Sequence, residues 1–430
     1  MPRMLAVEPE LVRAGASRLR IALFHNFPFG GVKRAIYQLA QGLIAKGHTV
    51  DAFLPDTAEE RYLPLHDLGM RIQRYQLASY EAPRHWRPYL VNGYADLLLR
   101  WRHLRRCASV NRDIAGAIDQ ARYDVAWVDK CYFASAPFVL RFLKTPTVFY
   151  CHDPWRVGYE AFDNPEWTAT FRRAGALKRL YMKGCEWGQR LPQQLVRSVD
   201  RRNAVMANRI LTNSYYTQAY LKRVYDTEPF VSYLGVDPAV FRPLGLPRER
   251  LVLTVGRLER RKRFELAVQA ISHIPEGIRP RLVIAAPSGH DNQHRLTAMA
   301  RHLRVSLEVM MGMTDEELAQ WYNRASVVSY TSIREPFGLV AIEAMACGTP
   351  VVAVREGGLQ ESVEHGKTGW LVDAAPEAVA GAMQRVIENP ALGAQMGAAG
   401  VEAVRQRWTW DHAVNRFERH LFEVAGQAMS

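Results

Sequence analysis

The feature that most constrains the fold is a regular alternation of short apolar runs with helix-length segments, which occurs in both halves of the chain. Strands that alternate with helices predict parallel, doubly wound α/β sheets. A segment rich in glycine and proline, 232–245, separates the halves and is typical of a linker. The predicted strands are 20–25, 49–54, 123–128, 146–150, 210–213 and 230–233, then 251–255, 281–286, 306–311, 327–331 and 350–354.

This pattern predicts two Rossmann-like domains, which suits a chain of 430 residues, since a domain takes about 150. We expect a flexible lead at 1–18, a first domain at 19–232 and a second at 233–405. A C-terminal helix at 406–430 is expected to cross back to the first domain. Open α/β sheets bind ligands beyond the carboxyl ends of their strands, so a cleft between the domains is the expected site.

Composition excludes several other classes of protein. The chain is 48% hydrophobic and 23% charged, which is an ordinary globular mixture rather than a disordered one. No apolar run is long enough for a transmembrane helix, and no signal peptide is expected. The five cysteines are scattered and include no C-x-x-C pair. We therefore expect a reducing, cytoplasmic environment with neither disulfides nor a zinc site.

Charge is distributed unevenly along the chain. Residues 1–250 hold 37 Lys and Arg against 23 Asp and Glu, whereas residues 251–430 hold 19 against 20. The excess is concentrated at 82–107 and 171–209. Such a surface attracts nucleic acid, an anionic membrane or phosphorylated ligands, although a solvated basic face without a specific partner is the simpler alternative. Nucleic-acid binding is not expected, because no recognition module is visible.

Two basic segments have a helical pattern. Residues 171–190 are basic, with Leu177, Leu180 and Tyr181 interleaved, and such helices could rest on anionic lipid. The alternative is a pair of core-facing helices with basic backs. In 94–108, Tyr94, Leu97, Leu98, Trp101, Leu104 and Ala108 form one predicted apolar stripe, with Arg102, His103 and Arg106 opposite.

The segment 331–372 holds the strongest candidates for chemistry. Glu335 precedes Pro336, which places Glu335 in a loop just before a helix predicted to start near Pro336 or Phe337. Glu343 then lies about two turns inside that helix. Amide groups at the helix start form an anion site, and an ordinary strand-helix unit with a surface glutamate is the alternative. These amides belong to Gly338, Leu339 and Val340.

Three further turns follow predicted strands at their carboxyl ends. Arg257 and Lys262, after Gly256, could clamp a phosphate, and Gly30 and Gly31 allow a phosphate or sugar to approach a helix start. The alternatives are a basic turn without a ligand and a simple glycine turn. After the predicted strand 146–150, His152 and Asp153 could bind a polyol and Trp155 could pack on a sugar. Two further candidates for binding the acceptor are Arg156 in this turn and Lys33 after the Gly30-Gly31 turn.

Several familiar motifs are absent. No D-x-D pair is present to hold Mg²⁺ against a diphosphate, and no G-x-S-x-G elbow occurs. The run Gly366-Lys367-Thr368 resembles the end of a P-loop, but that motif needs glycine where Glu361 stands. The sequence therefore predicts no metal site and no P-loop.

These motifs together resemble one family, the retaining glycosyltransferases of the GT-B fold, family four or "group 1". EPFGLVAIEAMACGTPVVA resembles the family's E-x7-E motif, GRLERRK its diphosphate-binding turn, and GGVKRAIYQLAQGLIAKGHTV its first glycine turn and helix. YLGVDPAVFRP resembles its interdomain linker, and YCHDPWR the histidine loop of several mannosyltransferases. Arg263 stands where many relatives have glycine, from which we expect little consequence.

The resemblance implies a role for each matched residue. Glu343 is expected to bind the ribose hydroxyls and Glu335 the donor sugar, while Arg257 and Lys262 neutralise the diphosphate with the amides around Gly338. Phe337 is a further donor-binding candidate. His152 and the Gly31 backbone are expected to close the site from the first domain.

The expected activity is metal-independent, retaining transfer of a sugar to a glycan or polyprenyl-linked acceptor. GDP-mannose is the favoured donor, on the histidine loop alone, and a UDP-sugar is the alternative. A nucleotide-sugar epimerase, a disaccharide phosphorylase and an inactive scaffolding homologue are the competing functions. A cytoplasmic location is expected, with attachment to the inner face of the membrane as the alternative in which the basic helices contact lipid.

Overall fold

The structure is a computed structural model that describes residues 18–27, 30–81, 89–159, 175–287 and 292–426. These residues contain two parallel sheets. The first has the strand order β3-β2-β1-β4-β5-β6-β7. Its strands are β1 (Arg20–Asn26), β2 (Thr49–Pro55), β3 (Ile72–Tyr75), β4 (Val125–Cys131), β5 (Thr147–Tyr150), β6 (Arg209–Thr212) and β7 (Phe230–Val231).

Helices connect these strands in the manner of a doubly wound sheet. The central strands β1 and β4 are almost wholly buried, because helices cover both faces. Glycine at position 47, with φ of 89°, ends the first helix. The helices are α1 (Gly31–Ala45), α2 (Tyr89–Ala121), α3 (Val139–Phe142), α4 (Arg156–Tyr159), α5 (Ala176–Ala204) and α6 (Tyr215–Tyr225).

The second sheet repeats this plan with the order β10-β9-β8-β11-β12-β13. Its strands are β8 (Glu249–Val255), β9 (Arg281–Ala286), β10 (Leu307–Met311), β11 (Ala325–Tyr330), β12 (Val351–Val354) and β13 (Gly369–Val372). The helices that follow them are α7 (Phe264–Ser272), α8 (Gln293–His302), α9 (Asp315–Arg324), α10 (Leu339–Ala346), α11 (Leu359–Ser362), α12 (Pro376–Glu388), α13 (Pro390–Arg407) and α14 (Trp410–Ala425).

The predicted fold class is confirmed: both halves are parallel α/β sheets, and every predicted strand overlaps an observed one. Two edge strands, β3 and β13, were not predicted. The β3 sequence IQRY is polar and only partly buried, so it lacks the apolar run that reveals a central strand. In β13 the four-residue sequence GWLV is too short to stand out from the turn before it.

The predicted apolar stripe of α2 is only partly buried: Leu104 is buried and Ala108 packs against the same cluster. Leu98 and Trp101 are exposed, whereas His103 is buried beside Leu104 and Cys107. The buried face is rotated from the predicted stripe because Leu104 and Cys107 pack into a cluster with Val196 and Val199 of α5. The side chains of Tyr94 and Tyr181, and residues 171–174, lie outside the described part of the chain.

None of the helices in the described ranges is long and apolar enough to cross a membrane. Four cysteines are described, and all four are buried free thiols.

The C-terminal helix α14 packs against α1, β4 and β5, which belong to the first domain. The ring of Phe417 is fully buried, with its centroid 4.8 Å from that of Trp127 in β4 and 5.8 Å from that of Tyr150 in β5. The Glu418 carboxylate accepts hydrogen bonds from His48 Nε2 at 2.8 Å and from Lys46 Nζ. An aromatic core with an ionic rim thus holds the chain end to the first domain.

We predict that Phe417→Ala lowers the free energy of unfolding by about 3–5 kcal/mol, because it leaves a cavity between α14 and the first sheet. Urea denaturation followed by tryptophan fluorescence measures the change. Asn415→Ala, at an exposed position of the same helix, is the control and should change stability by less than about 0.5 kcal/mol. Equal effects of the two substitutions would contradict the docking role of Phe417.

Candidate functional site

The predicted site residues come from both domains and meet where the two sheets present their carboxyl ends. A Cβ atom built on Gly31, the first residue of α1, would lie 3.4 Å from Leu339 Cδ1 at the start of α10. Two helix N-termini, each rich in amide donors, therefore approach each other across the domain boundary. Arg156 from the first domain donates to the backbone carbonyl of Arg334, next to Glu335.

Glu335 and Lys262 form an ion pair. Lys262 Nζ lies 2.9 Å from Glu335 Oε2, and both side chains are about four-fifths buried. Burial alone would raise the pKa of the Glu335 carboxyl, but the charge and hydrogen bond of Lys262 and the charge of Arg156 outweigh it, so the pKa is lowered. Glu335 is consequently a carboxylate at neutral pH.

The loop that carries Glu335 is held by backbone contacts from both domains. The amide of Gly358 donates to the Glu335 carbonyl at 2.8 Å, and Ser214 Oγ donates to the Pro336 carbonyl at 2.5 Å. A Cβ atom at Gly357 would lie 2.2 Å from the Glu335 carbonyl oxygen, and one at Gly358 would lie 2.2 Å from the Pro336 carbonyl oxygen. The second glycine turn is therefore required for close packing against the Glu335 loop.

The helix after Glu335 begins later than predicted. α10 starts at Leu339 rather than near Pro336, and Gly338 precedes it with φ of 99°. A side chain at position 338 would lie 2.6 Å from Leu359 Cδ2, so glycine is required there for two reasons. Leu339 and Val340 supply first-turn amides, as predicted for an anion site.

Phe337 does not offer its side chain to a donor. Its ring is buried against Tyr233 and Trp408, with centroids 5.8 and 5.5 Å apart. It anchors the loop, and the sequence could not distinguish this packing role from a binding role.

Glu343, the fifth residue of α10, faces an arginine of the first domain. Its Oε1 lies 3.3 Å from Arg34 Nη1, and its Oε2 accepts a 2.8 Å hydrogen bond from Tyr322. Burial raises the pKa of the Glu343 carboxyl, and the Arg34 charge and the Tyr322 hydroxyl only partly oppose this rise. Arg34 also donates to Asp315 at 2.6 Å and to Tyr62 at 3.2 Å, so one guanidinium connects the domains.

The sequence predicts an acceptor-binding role for Lys33, but its neighbour Arg34 is the residue that reaches the second domain. The Lys33 side chain is fully buried and paired with Glu60, with His25 Nε2 3.5 Å away, so it is not open to an acceptor. The helical phase could have shown this, because position 33 lies on the same face as buried Ile36 and Ala40.

Arg257 and Lys262 follow β8 as predicted, but they differ in orientation. The Arg257 Nε atom lies 2.9 Å from Glu259 Oε1, and its side chain is half exposed. Gly256, with φ of 149°, lies under the Lys262 stem: a Cβ there would approach it to 3.2 Å. Lys262 is therefore the preformed cation of this turn, and Arg257 stands at its solvent side.

Arg263 has a consequence that the sequence did not reveal. Its φ of 47° lies in the left-handed region that favours glycine, the residue that the family resemblance leads one to expect there. The guanidinium lies 2.7 Å from Glu356, which also accepts the Arg334 amide at 3.2 Å. An ion pair thus accompanies the strained backbone and ties the Lys262 turn to the Glu335 loop.

On the first domain, His152 is buried and stacked on Tyr150, with ring centroids 4.4 Å apart. Its Nε2 lies 3.3 Å from Asp129 Oδ2 at the carboxyl end of β4. Asp153 is paired with Lys130 and lies 3.5 Å from Arg156 Nε. Burial would raise the pKa of Asp153, but these cations outweigh it and lower the pKa.

Trp155 is not the exposed aromatic of this region. Its ring packs over Gly158 and against the cluster that includes Leu104 and Phe138. The exposed ring is Tyr132, just after β4, in edge contact with Phe27. The sequence signal that was missed is the charged pair Asp129-Lys130 and the aromatic that follow an otherwise apolar strand.

Among the described residues, no group of three or more His, Cys, Asp or Glu side chains could hold a metal ion. Transfer without a metal stays a prediction.

Two Rossmann-like domains that share one cleft at the carboxyl ends of their sheets define the GT-B class of fold. Two family models match successive parts of the chain: "Glycosyltransferase Family 4" at residues 29–240 and "Glycosyl transferases group 1" at residues 238–403. Together the two matches extend from residue 29 to residue 403, so the similarity to group 1 glycosyltransferases includes both domains.

Curated relatives match over part of their length. The D-inositol 3-phosphate glycosyltransferase of Acidothermus cellulolyticus is 39% identical in an alignment of 232 residues that covers 48% of this chain and 51% of that protein. The protein of the same name from a Nocardioides species is 33% identical over 257 residues, with 52% and 56% covered. The chain thus spans about half the length of the curated relatives it matches.

Solved structures share the fold over nearly the whole chain. Sucrose-phosphate synthase from Thermosynechococcus elongatus has a TM-score of 0.70 at 23% identity, with 94% of this chain and 100% of that chain covered. HepE of Anabaena, solved with UDP and glucose, has a TM-score of 0.65 at 17% identity and the same coverage.

We predict that Arg34→Gln destabilises the protein more at about pH 7 than at about pH 4. Burial already raises the pKa of Glu343, and loss of the guanidinium raises it further. A carboxyl whose pKa is raised on folding contributes stability at low pH, which is lost as pH rises through the folded-state pKa. The deficit of the variant therefore grows with pH.

A double-mutant cycle with Glu343→Gln measures the coupling, which should be about 1–3 kcal/mol at neutral pH. A pH-independent deficit, or no coupling, would contradict the assigned pair.

Proposed function

We propose that this protein transfers a sugar from a nucleotide sugar to a hydroxyl group of an acceptor, with retention of anomeric configuration. The observation that carries the proposal is the arrangement of Glu335 and Lys262 at the start of α10, opposite the start of α1. It combines a preformed cation, two sets of amide donors and a carboxylate in one cleft. That combination suits a ligand with a diphosphate and several hydroxyl groups.

Leaving-group stabilisation is the first chemical task. When the bond between the anomeric carbon and the phosphate oxygen breaks, negative charge develops on the nucleoside diphosphate. Lys262, Arg257 and the amides of Leu339 and Val340 would stabilise that charge. A diphosphate would draw Lys262 from its present partner, Glu335. The released carboxylate would then accept hydrogen bonds from the donor sugar.

Attack by the acceptor is the second task. The acceptor oxygen forms the new bond to the anomeric carbon on the face that the phosphate leaves, and its proton passes to the departing phosphate oxygen. We assign no nucleophilic role to Glu335, since its pairing with Lys262 suits binding. His152, oriented by Asp129, and the Gly31 backbone would position the donor sugar from the first domain.

Donor and acceptor identity are narrower parts of the proposal. GDP-mannose is the favoured donor, and a UDP-sugar is the alternative. A glycan or polyprenyl-linked glycan is the favoured acceptor. The name of the curated relatives supports a second candidate, D-inositol 3-phosphate. Tyr132, exposed just after the carboxyl end of β4, and Lys130, beside Phe27, are candidates for contact with an acceptor ring.

A binding panel tests the nucleotide part of the proposal. Titration calorimetry with GDP, UDP, ADP and inorganic pyrophosphate, with EDTA present, should show one nucleoside diphosphate that binds best. Glu343→Gln should weaken that binding about tenfold, by loss of charge-assisted hydrogen bonds to the ribose, and leave pyrophosphate affinity unchanged. Equal weakening of pyrophosphate would contradict the ribose assignment. Binding of no nucleotide would contradict the proposed function.

We predict that Lys262→Met lowers kcat about 10²–10³-fold in a transfer assay with the donor that the panel selects, because a fixed cation at the leaving group is lost. The assay uses polyprenyl-linked glycans and D-inositol 3-phosphate as acceptors. Arg260→Met, an exposed residue of the same short 3-10 helix, is the matched control and should retain activity. A change in KM alone would show that Lys262 binds substrate without stabilising the transition state.

A further inference from the structure

The helix pair α2 and α5 exposes large apolar side chains to solvent. Leu177, Leu180 and Trp187 of α5 are 86%, 70% and 63% exposed, and Leu98 and Trp101 of α2 are nearly half exposed. We call these five residues, with the cations among them, the helix-pair surface. Exposed leucine and tryptophan at this density mark an interaction site rather than ordinary surface.

Basic side chains share the exposed faces with these apolar residues. Positions 180, 183, 187 and 190 follow helical spacing along α5, so Lys183 and Arg190 lie on the face of Leu180 and Trp187. On α2, the Arg105 guanidinium lies 4.7 Å from the centre of the Trp101 ring. The nearby acids are paired: Glu186 with Arg190, and Asp96 with Arg100.

The buried side of α2 connects this surface to the cleft. The His103 ring lies 4.5 Å from that of Phe133 and 5.6 Å from that of Tyr80. Phe133 follows Tyr132, the exposed aromatic at the edge of the candidate site. Helix α2, whose exposed side carries part of the helix-pair surface, therefore packs with its buried side against the segment that holds Tyr132.

We propose that the helix-pair surface docks on an anionic lipid bilayer, with Leu and Trp side chains entering the interface and Lys and Arg contacting headgroups. Tryptophan beside leucine, flanked by cations, suits the boundary between acyl chains and anionic headgroups. A second copy of the chain fits poorly, because two basic faces would repel each other. Nucleic acid would account for the charge but not for the exposed leucines.

This inference deepens the proposed function, since it states where a lipid-linked acceptor would be met, but its test does not depend on catalysis. The purified chain is mixed with vesicles of phosphatidylcholine alone, or of phosphatidylcholine with phosphatidylglycerol, and bound protein is measured by flotation. Binding should require phosphatidylglycerol and weaken with added salt. The proposal would be overturned if the protein bound neither kind of vesicle, or if it bound vesicles with and without phosphatidylglycerol equally well.

Paired variants identify the surface. Leu180→Ser with Trp187→Ser should reduce partitioning at least about tenfold, whereas Leu244→Ser with Leu246→Ser, exposed leucines elsewhere, should not. Arg102→Glu with Lys183→Glu should also reduce partitioning onto the vesicles. Arg301→Glu, at an exposed position of the second domain, should leave partitioning unchanged. Equal loss in test and control variants would overturn the assignment.

Two further readings separate the alternatives. Unchanged melting temperatures show that the variants are folded. When vesicles are added, the fluorescence of Trp101 or Trp187 should shift to shorter wavelength, and the shift is obtained as the difference between the spectra of the wild type and a variant in which that one tryptophan is replaced. The protein is also titrated with a DNA duplex. DNA binding as strong as vesicle binding, and unchanged in the variant with Leu180→Ser and Trp187→Ser, would favour a site for polyanions and contradict the proposal. Nucleotide binding without vesicle binding would leave the proposed function intact and remove this inference.

Discussion

The site depends on two buried carboxylates, each held by one cation. Glu335 is paired with Lys262 of the same domain, and Glu343 with Arg34 of the other domain. A buried carboxylate without a partner is costly, and it would take up a proton instead. The outcomes differ: the pKa of Glu335 is lowered and that of Glu343 is raised. Glu335 is therefore ionised through a partner in its own domain, whereas the ionised form of Glu343 depends on Arg34, which the first domain supplies.

This dependence makes the domain boundary part of the site. Glu361 of the second domain accepts the amides of Tyr215 and Tyr216 at the start of α6, at 2.9 and 2.8 Å, and the Tyr233 hydroxyl at 2.8 Å. A carboxylate at a helix N-terminus is stabilised by the amide donors and the helix dipole. Glu361 lies in α11, directly after the glycine turn that packs against the Glu335 loop, and the Arg34–Glu343 pair also joins the two domains. Relative domain motion would therefore alter the surroundings of both carboxylates.

The fold could be predicted from the sequence because buried parallel strands are nearly continuous apolar runs, as in β4 and β12. The edge strands β3 and β13 lack such runs and were missed. For the site, Glu335, Lys262 and Glu343 could be predicted to lie in one cleft because each stands in or just after a recognisable turn or helix start. Arg34, Asp129 and Asp315 were missed because their importance comes from side chains that another strand or the other domain supplies. No local pattern contains that information.

Helix α2 shows the same limit in another form. Its apolar residues recur at helical spacing, but the spacing does not show which of them enter the core. Leu104 and Cys107 are buried because they pack against Val196 and Val199 of α5. Leu98 and Trp101 remain exposed among arginines, and exposed apolar side chains beside cations are the physical basis for assigning this part of the helix to a lipid surface.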